Sequence, residues 1–99
     1  MLDFNGYQSR IKNICQKFSV LRLDVVGSAS RDDFDPQKSD LDFLIQFEGK
    51  ENLFNRYFEL KFELEKLFGR KVDLIQEQTI INPYINQSIQ QDRKIIYAA

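Results

Sequence analysis

The sequence predicts an α+β fold, a small mixed β-sheet backed by helices. Three observations carry this. Apolar residues recur at helical spacing over 7–18 and again over 51–68. Short apolar runs bounded by glycine or polar turns read as strands. The two kinds of segment alternate along the chain and are not segregated into blocks. At 99 residues the length allows one core and no separate substrate domain, so residues 1–99 are expected to form a single domain.

The elements follow in order. Tyr7, Ile11, Ile14, Cys15 and Phe18 share one face of a first helix, closed by Ser19. Cys15 is the single cysteine, and on that stripe it is expected as a buried core thiol. Leu21 to Val26 alternates and ends apolar, which predicts a strand that Gly27 stops. Ser28 to Arg31 fits a short helical turn, and 32–39, with Pro36, reads as a polar loop. Asp40 to Phe47 is a second strand. Its odd positions, Leu41, Phe43, Ile45 and Phe47, are all apolar, and its even positions begin with two carboxylates.

Residues 51–68 form the longest helix. Leu53, Tyr57, Leu60, Leu64 and Leu67 make one stripe, which Phe54, Phe58 and Phe62 widen, and Gly69 signals its end. These aromatics are expected mainly in the core. Lys71 to Ile75 is a third strand, with Asp73 pointing away from Val72 and Leu74. Pro83 to Gln91 reads as a short helix and Lys94 to Tyr97 as a last strand.

Hydrophobic residues are 42%, charged residues 29%, and the net charge is −1 with no histidine. Such a chain lacks the basic footprint of a nucleic-acid binder, so no direct nucleic-acid binding is expected. There is no signal-peptide pattern and no apolar stretch of bilayer length, so the cytoplasm is the default expectation and no membrane partner is expected. Asp32, Asp33 and Asp35 lack the glycine and terminal glutamate of an EF-hand.

The chemistry concentrates in Gly27-Ser28, then Asp40-Leu41-Asp42, then Asp73. Period-two geometry puts Asp40 and Asp42 on one face of a strand whose other face is apolar. Carboxylates that close repel one another unless a cation intervenes, and a hard divalent ion such as Mg²⁺ relieves the conflict. Gly27 lets backbone approach a ligand closely. The Ser28 hydroxyl and the free N–H groups of a helical turn suit an anion, with Arg31 near enough to add positive charge or to pair with Asp32 or Asp33. If the third strand lies beside the second, Asp73 joins the two carboxylates and can accept a proton.

This pattern resembles the nucleotidyltransferase superfamily related to DNA polymerase beta, and within it the minimal nucleotidyltransferases, over roughly Leu21 to Tyr97. Their usual turn reads Gly-Ser-x-Ala-Arg-Gly; here Ser30 stands for the alanine and Asp32 for the glycine. The resemblance implies a nucleotidyltransferase fold and Mg²⁺-dependent transfer of AMP from ATP to a hydroxyl. Asp40, Asp42 and Asp73 would be the catalytic and metal-binding residues for two Mg²⁺ ions. Gly27, Ser28 and Arg31 would bind the nucleotide. It further implies an antitoxin that forms a hetero-oligomer with a HEPN-domain ribonuclease toxin and attaches AMP to a toxin tyrosine, with Phe58 or Phe62 as exposed partner anchors. The alternatives are an antitoxin that acts by binding alone, and the catalytic subunit of a small-molecule nucleotidyltransferase.

Overall fold

The computed structural model describes residues 4–31, 35 and 40–99. The expected loop over 32–39 lies, apart from Asp35, outside the described residues, and Asp32 and Asp33 with it. A 3-10 turn, Asn5–Tyr7, leads into α1, Gln8–Lys17. β1 spans Val20–Val26 and runs into a 3-10 turn, Gly27–Ser30. β2 is Leu41–Phe47, α2 is Leu53–Phe68 and β3 is Val72–Gln76. A 3-10 turn at Glu77–Thr79, α3 at Pro83–Asp92 and β4 at Lys94–Ala98 complete the chain. The fold is the expected α+β arrangement. Its elements lie where the periodicity put them, with ends displaced by a residue or two.

The strands form one mixed sheet in the order β3-β2-β1-β4. β1 pairs antiparallel with both β2 and β4. β3 runs parallel to β2, because α2 carries the chain back along the sheet between them. Leu23 and Val25 of β1, the four odd-numbered apolar residues of β2, and Val72 and Leu74 of β3 all point to one face. There they meet Ile11, Cys15 and Phe18 from the first helix region and Leu60 and Leu64 from α2. Burial pushes the Cys15 thiol up to about 12, as a core position dictates.

Local sequence sets the helix ends. Asn82 caps α3, its side-chain oxygen accepting from the N–H groups of Tyr84 and Ile85, with Pro83 at the first helical position. Gly69, at φ +65°, ends α2 in the left-handed conformation that glycine tolerates. Arg56 of α2 was not singled out by spacing. Its guanidinium donates to the carbonyls of Phe18, Ser19, Glu48 and Glu51 and lies over the Phe47 ring, so one side chain satisfies the backbone of two adjoining turns.

The widened stripe of α2 is the main correction. Leu60 and Leu64 are buried, but Phe54, Phe58 and Phe62 are 74%, 50% and 62% exposed. They stand one position past Leu53, Tyr57 and Lys61, about 100° further round the helix, which turns them off the sheet. Tyr57 stays on the sheet side and donates its hydroxyl to the Leu74 carbonyl at 2.7 Å. Among the described residues no helix is long and apolar enough to cross a membrane.

Candidate active site

The opposite face of the sheet carries the polar side chains. Because β1 and β2 are antiparallel, the end of β1 lies beside the start of β2, with Val26 opposite Asp42. Gly27 comes next and turns the chain away at φ +68°. Because β2 and β3 are parallel and in register, Asp42 is paired directly with Asp73. Neighbouring strands lie about 4.8 Å apart, so the two carboxyl groups stand side by side.

The electrostatics record this crowding. The Asp42 carboxyl is pushed up to about 6, first by burial, then by the Asp73 charge and a hydrogen bond with Asp73, then by the Asp40 charge. The hydrogen bond between the Asp42 and Asp73 carboxyl groups thus lies where a cation would sit. Asp40 precedes β2, is exposed, and acts on Asp42 as a charge. Among the described residues no group of three or more His, Cys, Asp or Glu side chains is arranged to hold a metal ion, so Asp40 does not close a three-carboxylate set with Asp42 and Asp73. Two adjacent carboxylates with a third near by fit Mg²⁺, which retains waters and takes phosphate oxygens as further ligands.

The raised value has a consequence for stability. The folded state holds the Asp42 proton more tightly than the unfolded chain. The contribution is therefore fully present below the ordinary value of 3.8 and lost as pH rises through about 6. Without metal, Asp42→Asn is expected to stabilise the protein above pH 6 by ~1–2 kcal/mol, discounted for solvent screening at an open site. The gain should vanish below about pH 4. Paired denaturant titrations of the two proteins across pH check this, and a gain independent of pH would overturn it.

The Gly27 turn fits tightly against the acids. A Cβ on Gly27 would lie 2.6 Å from Asp42 Oδ2. Ser28 follows in the same turn, and its carbonyl accepts from the Arg31 N–H. Ser30 is buried and donates its hydroxyl to the Gly27 carbonyl at 2.8 Å, so its polar atom is satisfied inside the turn. The structure therefore brings Gly27 and Asp42 into contact and sets Asp73 beside Asp42, while Asp40 reaches Asp42 only as a charge. Arg31 lies just beyond the turn and is paired with Asp92, the last residue of α3.

One polar group on this face was not singled out from the sequence. Asp24 is fully buried and is held by Arg22 and Arg93, and Arg93 also reaches Glu77, to which Gln46 donates. Asp24 lies two residues before Val26 and so shares the face of Asp42. A carboxylate inside Leu23-Asp24-Val25-Val26 was the available signal, since a buried charge needs a partner. A separate concavity is lined by Gln46, Glu77, Asn86 and Gln90 among others. Charge and register distinguish the acid cluster.

The sequence model of the nucleotidyltransferase domain matches residues 9–96. Two Methanocaldococcus jannaschii proteins, provisionally named protein adenylyltransferases, are 38% and 37% identical to this chain. The alignment spans 82% of this chain and 81% of each relative. A solved structure provisionally described as a minimal nucleotidyltransferase superposes with a TM-score of 0.73 at 26% identity, covering 94% of this chain and 95% of the other. The fold also matches a toxin–antitoxin structure with AMP-PNP, at a TM-score of 0.73 and 16% identity, covering 94% of this chain and 74% of that one. It matches, too, a Shewanella oneidensis complex of a tri-AMPylated HEPN toxin with an MNT antitoxin, at a TM-score of 0.64 and 15% identity, covering 93% of this chain and 70% of that one.

Proposed function

The chain belongs to the nucleotidyltransferase domain family, and on that premise we propose that it is a protein adenylyltransferase of the antitoxin type. It transfers AMP from ATP to a tyrosine hydroxyl of a HEPN ribonuclease toxin, with which it forms a cytoplasmic hetero-oligomer. The observation that carries this is the direct pairing of Asp42 with Asp73 beside a Gly27 turn that has no room for a side chain.

The chemistry follows from the arrangement. The acceptor hydroxyl oxygen bonds to the α-phosphorus, the bond from that phosphorus to the bridging oxygen breaks, and pyrophosphate leaves. Asp73 accepts the hydroxyl proton. Asp40 and Asp42 with Asp73 would hold two Mg²⁺ ions, which supply positive charge to the reacting phosphates. Gly27 and Ser28 present backbone N–H groups and a hydroxyl to the triphosphate, and Arg31 adds a guanidinium. The absence of histidine is no obstacle, because phosphoryl transfer depends on positioning and charge neutralisation.

Support for a protein acceptor comes from the adenylyltransferase names of the relatives and from the toxin–antitoxin fold matches. The exposed Phe54, Phe58 and Phe62 favour a second reading, neutralisation by contact alone, since an aromatic ridge of this kind suits a partner surface. Incubating the chain with labelled ATP, Mg²⁺ and a co-encoded HEPN protein separates the two. Label on the HEPN protein that EDTA abolishes supports transfer. Neutralisation of the toxin by the Asp40→Asn, Asp42→Asn double variant, without label, would replace transfer with occlusion.

A further inference from the structure

The C-terminal end of α3 is fastened by two ion pairs of unlike character, one to the sheet and one to the residue that follows the Gly27–Ser30 turn. Arg93 grips Asp24, which is closed to water. One residue earlier, Asp92 pairs with Arg31 at 2.5 Å, and there the Arg31 side chain is 48% exposed and that of Asp92 20%. Arg31 directly follows the Gly27–Ser30 turn. The guanidinium beside the proposed triphosphate site is therefore already engaged by a carboxylate.

Asp92 is also poorly placed for its helix. It is the last residue of α3, where the unsatisfied carbonyls carry partial negative charge and a cation is preferred. No residue of α3 is buried, so core packing does not account for its position. Its contact with Arg31 does.

The geometry points to Asp92 as an internal stand-in for the nucleotide phosphates: a latch that engages Arg31 in the nucleotide-free protein and releases it when a nucleoside triphosphate arrives. This rests on the nucleotide-binding reading above. A triphosphate offers a guanidinium more charge and more acceptor oxygens than one carboxylate, so the exchange runs toward the nucleotide. It nevertheless costs the nucleotide part of its affinity, because the Arg31–Asp92 contact must be given up. Once Arg31 leaves, Asp92 faces the negative end of its own helix, and the Arg93–Asp24 pair remains as the pivot of α3. Nucleotide affinity and the order of α3 are thereby coupled, and the coupling is reciprocal.

The test measures binding of AMP-PNP with Mg²⁺ to the full chain by calorimetry. Asp92→Asn is expected to tighten binding about twofold to fivefold, the scale of a partly exposed ion pair. The KM for ATP should fall by the same factor with kcat unchanged. In an Arg31→Gln background the Asp92 substitution should add nothing. Hydrogen exchange over residues 85–92 should speed up when the wild-type protein is saturated, and should already be fast in Asp92→Asn. Asp92→Ser is a second variant that removes the same charge. The latch is overturned if either variant binds AMP-PNP as the wild type does, or more weakly. It is also overturned if the gain persists without Arg31, as a bulk charge effect would. Failure of the wild type itself to bind AMP-PNP instead overturns the nucleotide reading, and the latch with it.

Discussion

Asp42→Asn is expected to lower AMP transfer by at least about 10³-fold while leaving the protein folded. Asp42 is the carboxylate against which the other parts of the site are placed: Asp73 is its register partner, Asp40 acts on it electrostatically, and Gly27 packs on its oxygen. Asparagine keeps the shape and loses the charge. Several kcal/mol of metal-mediated charge stabilisation would go with it, and each 1.36 kcal/mol is tenfold in rate. Gly27→Ala should reach a similar loss by another route. Alanine at φ +68°, with its Cβ 2.6 Å from Asp42 Oδ2, must displace the turn or the carboxylate. The expected cost is about 1–3 kcal/mol of stability, with transfer down by about 10²-fold. Stability separates the two, since at pH 8 without metal Asp42→Asn should melt higher than the wild type and Gly27→Ala lower. Transfer assays paired with melting curves check this. Full activity in Gly27→Ala would show that the turn does not hold the nucleotide.

The sequence made some of this site legible and concealed the rest, for physical reasons. Strand β2 could be read directly, because a period of two with Leu41, Phe43, Ile45 and Phe47 on one face forces Asp42 onto the other. The Gly27 turn was legible for the same local reason. The pairing of Asp42 with Asp73 was not, because parallel register is set across the whole of α2. Arg31 shows the limit most plainly. Nearby Asp32 and Asp33 were the partners that spacing offered, and those two lie outside the described residues. Among the described residues Arg31 pairs with Asp92, 61 positions away, brought in by α3. The α2 aromatics, expected mainly in the core, mislead in the opposite direction at Phe54, while the exposure of Phe58 and Phe62 follows the alternative that they stay open, because a wide apolar stripe cannot by itself say how much of it the sheet will cover.

Asp24 yields the second large prediction. Arg93→Met is expected to cost about 3 kcal/mol, the lower end for removing one partner of a buried ion pair. Asp24 is fully buried, and Arg93 and Arg22 are the ion-pair partners it has among the described residues. With Arg93 gone, Arg22 alone must compensate the charge, and its side chain is 39% exposed and so holds its end more loosely. For a domain of this size ~3 kcal/mol corresponds to a fall in Tm of about 12–24 °C. Removing both charges should hurt less than the sum of the single changes, so Asp24→Leu with Arg93→Met ought to recover part of the loss. Thermal melts of the two single variants and the double close the cycle. A strictly additive result would mean that Asp24 is compensated by Arg22 and that Arg93 matters only through Glu77, the other carboxylate it reaches. A non-additive result places the strength of this face in the Asp24–Arg93 contact. That contact fixes where α3 meets β1, and with it the carboxylate that α3 presents to Arg31 beside the Gly27 turn.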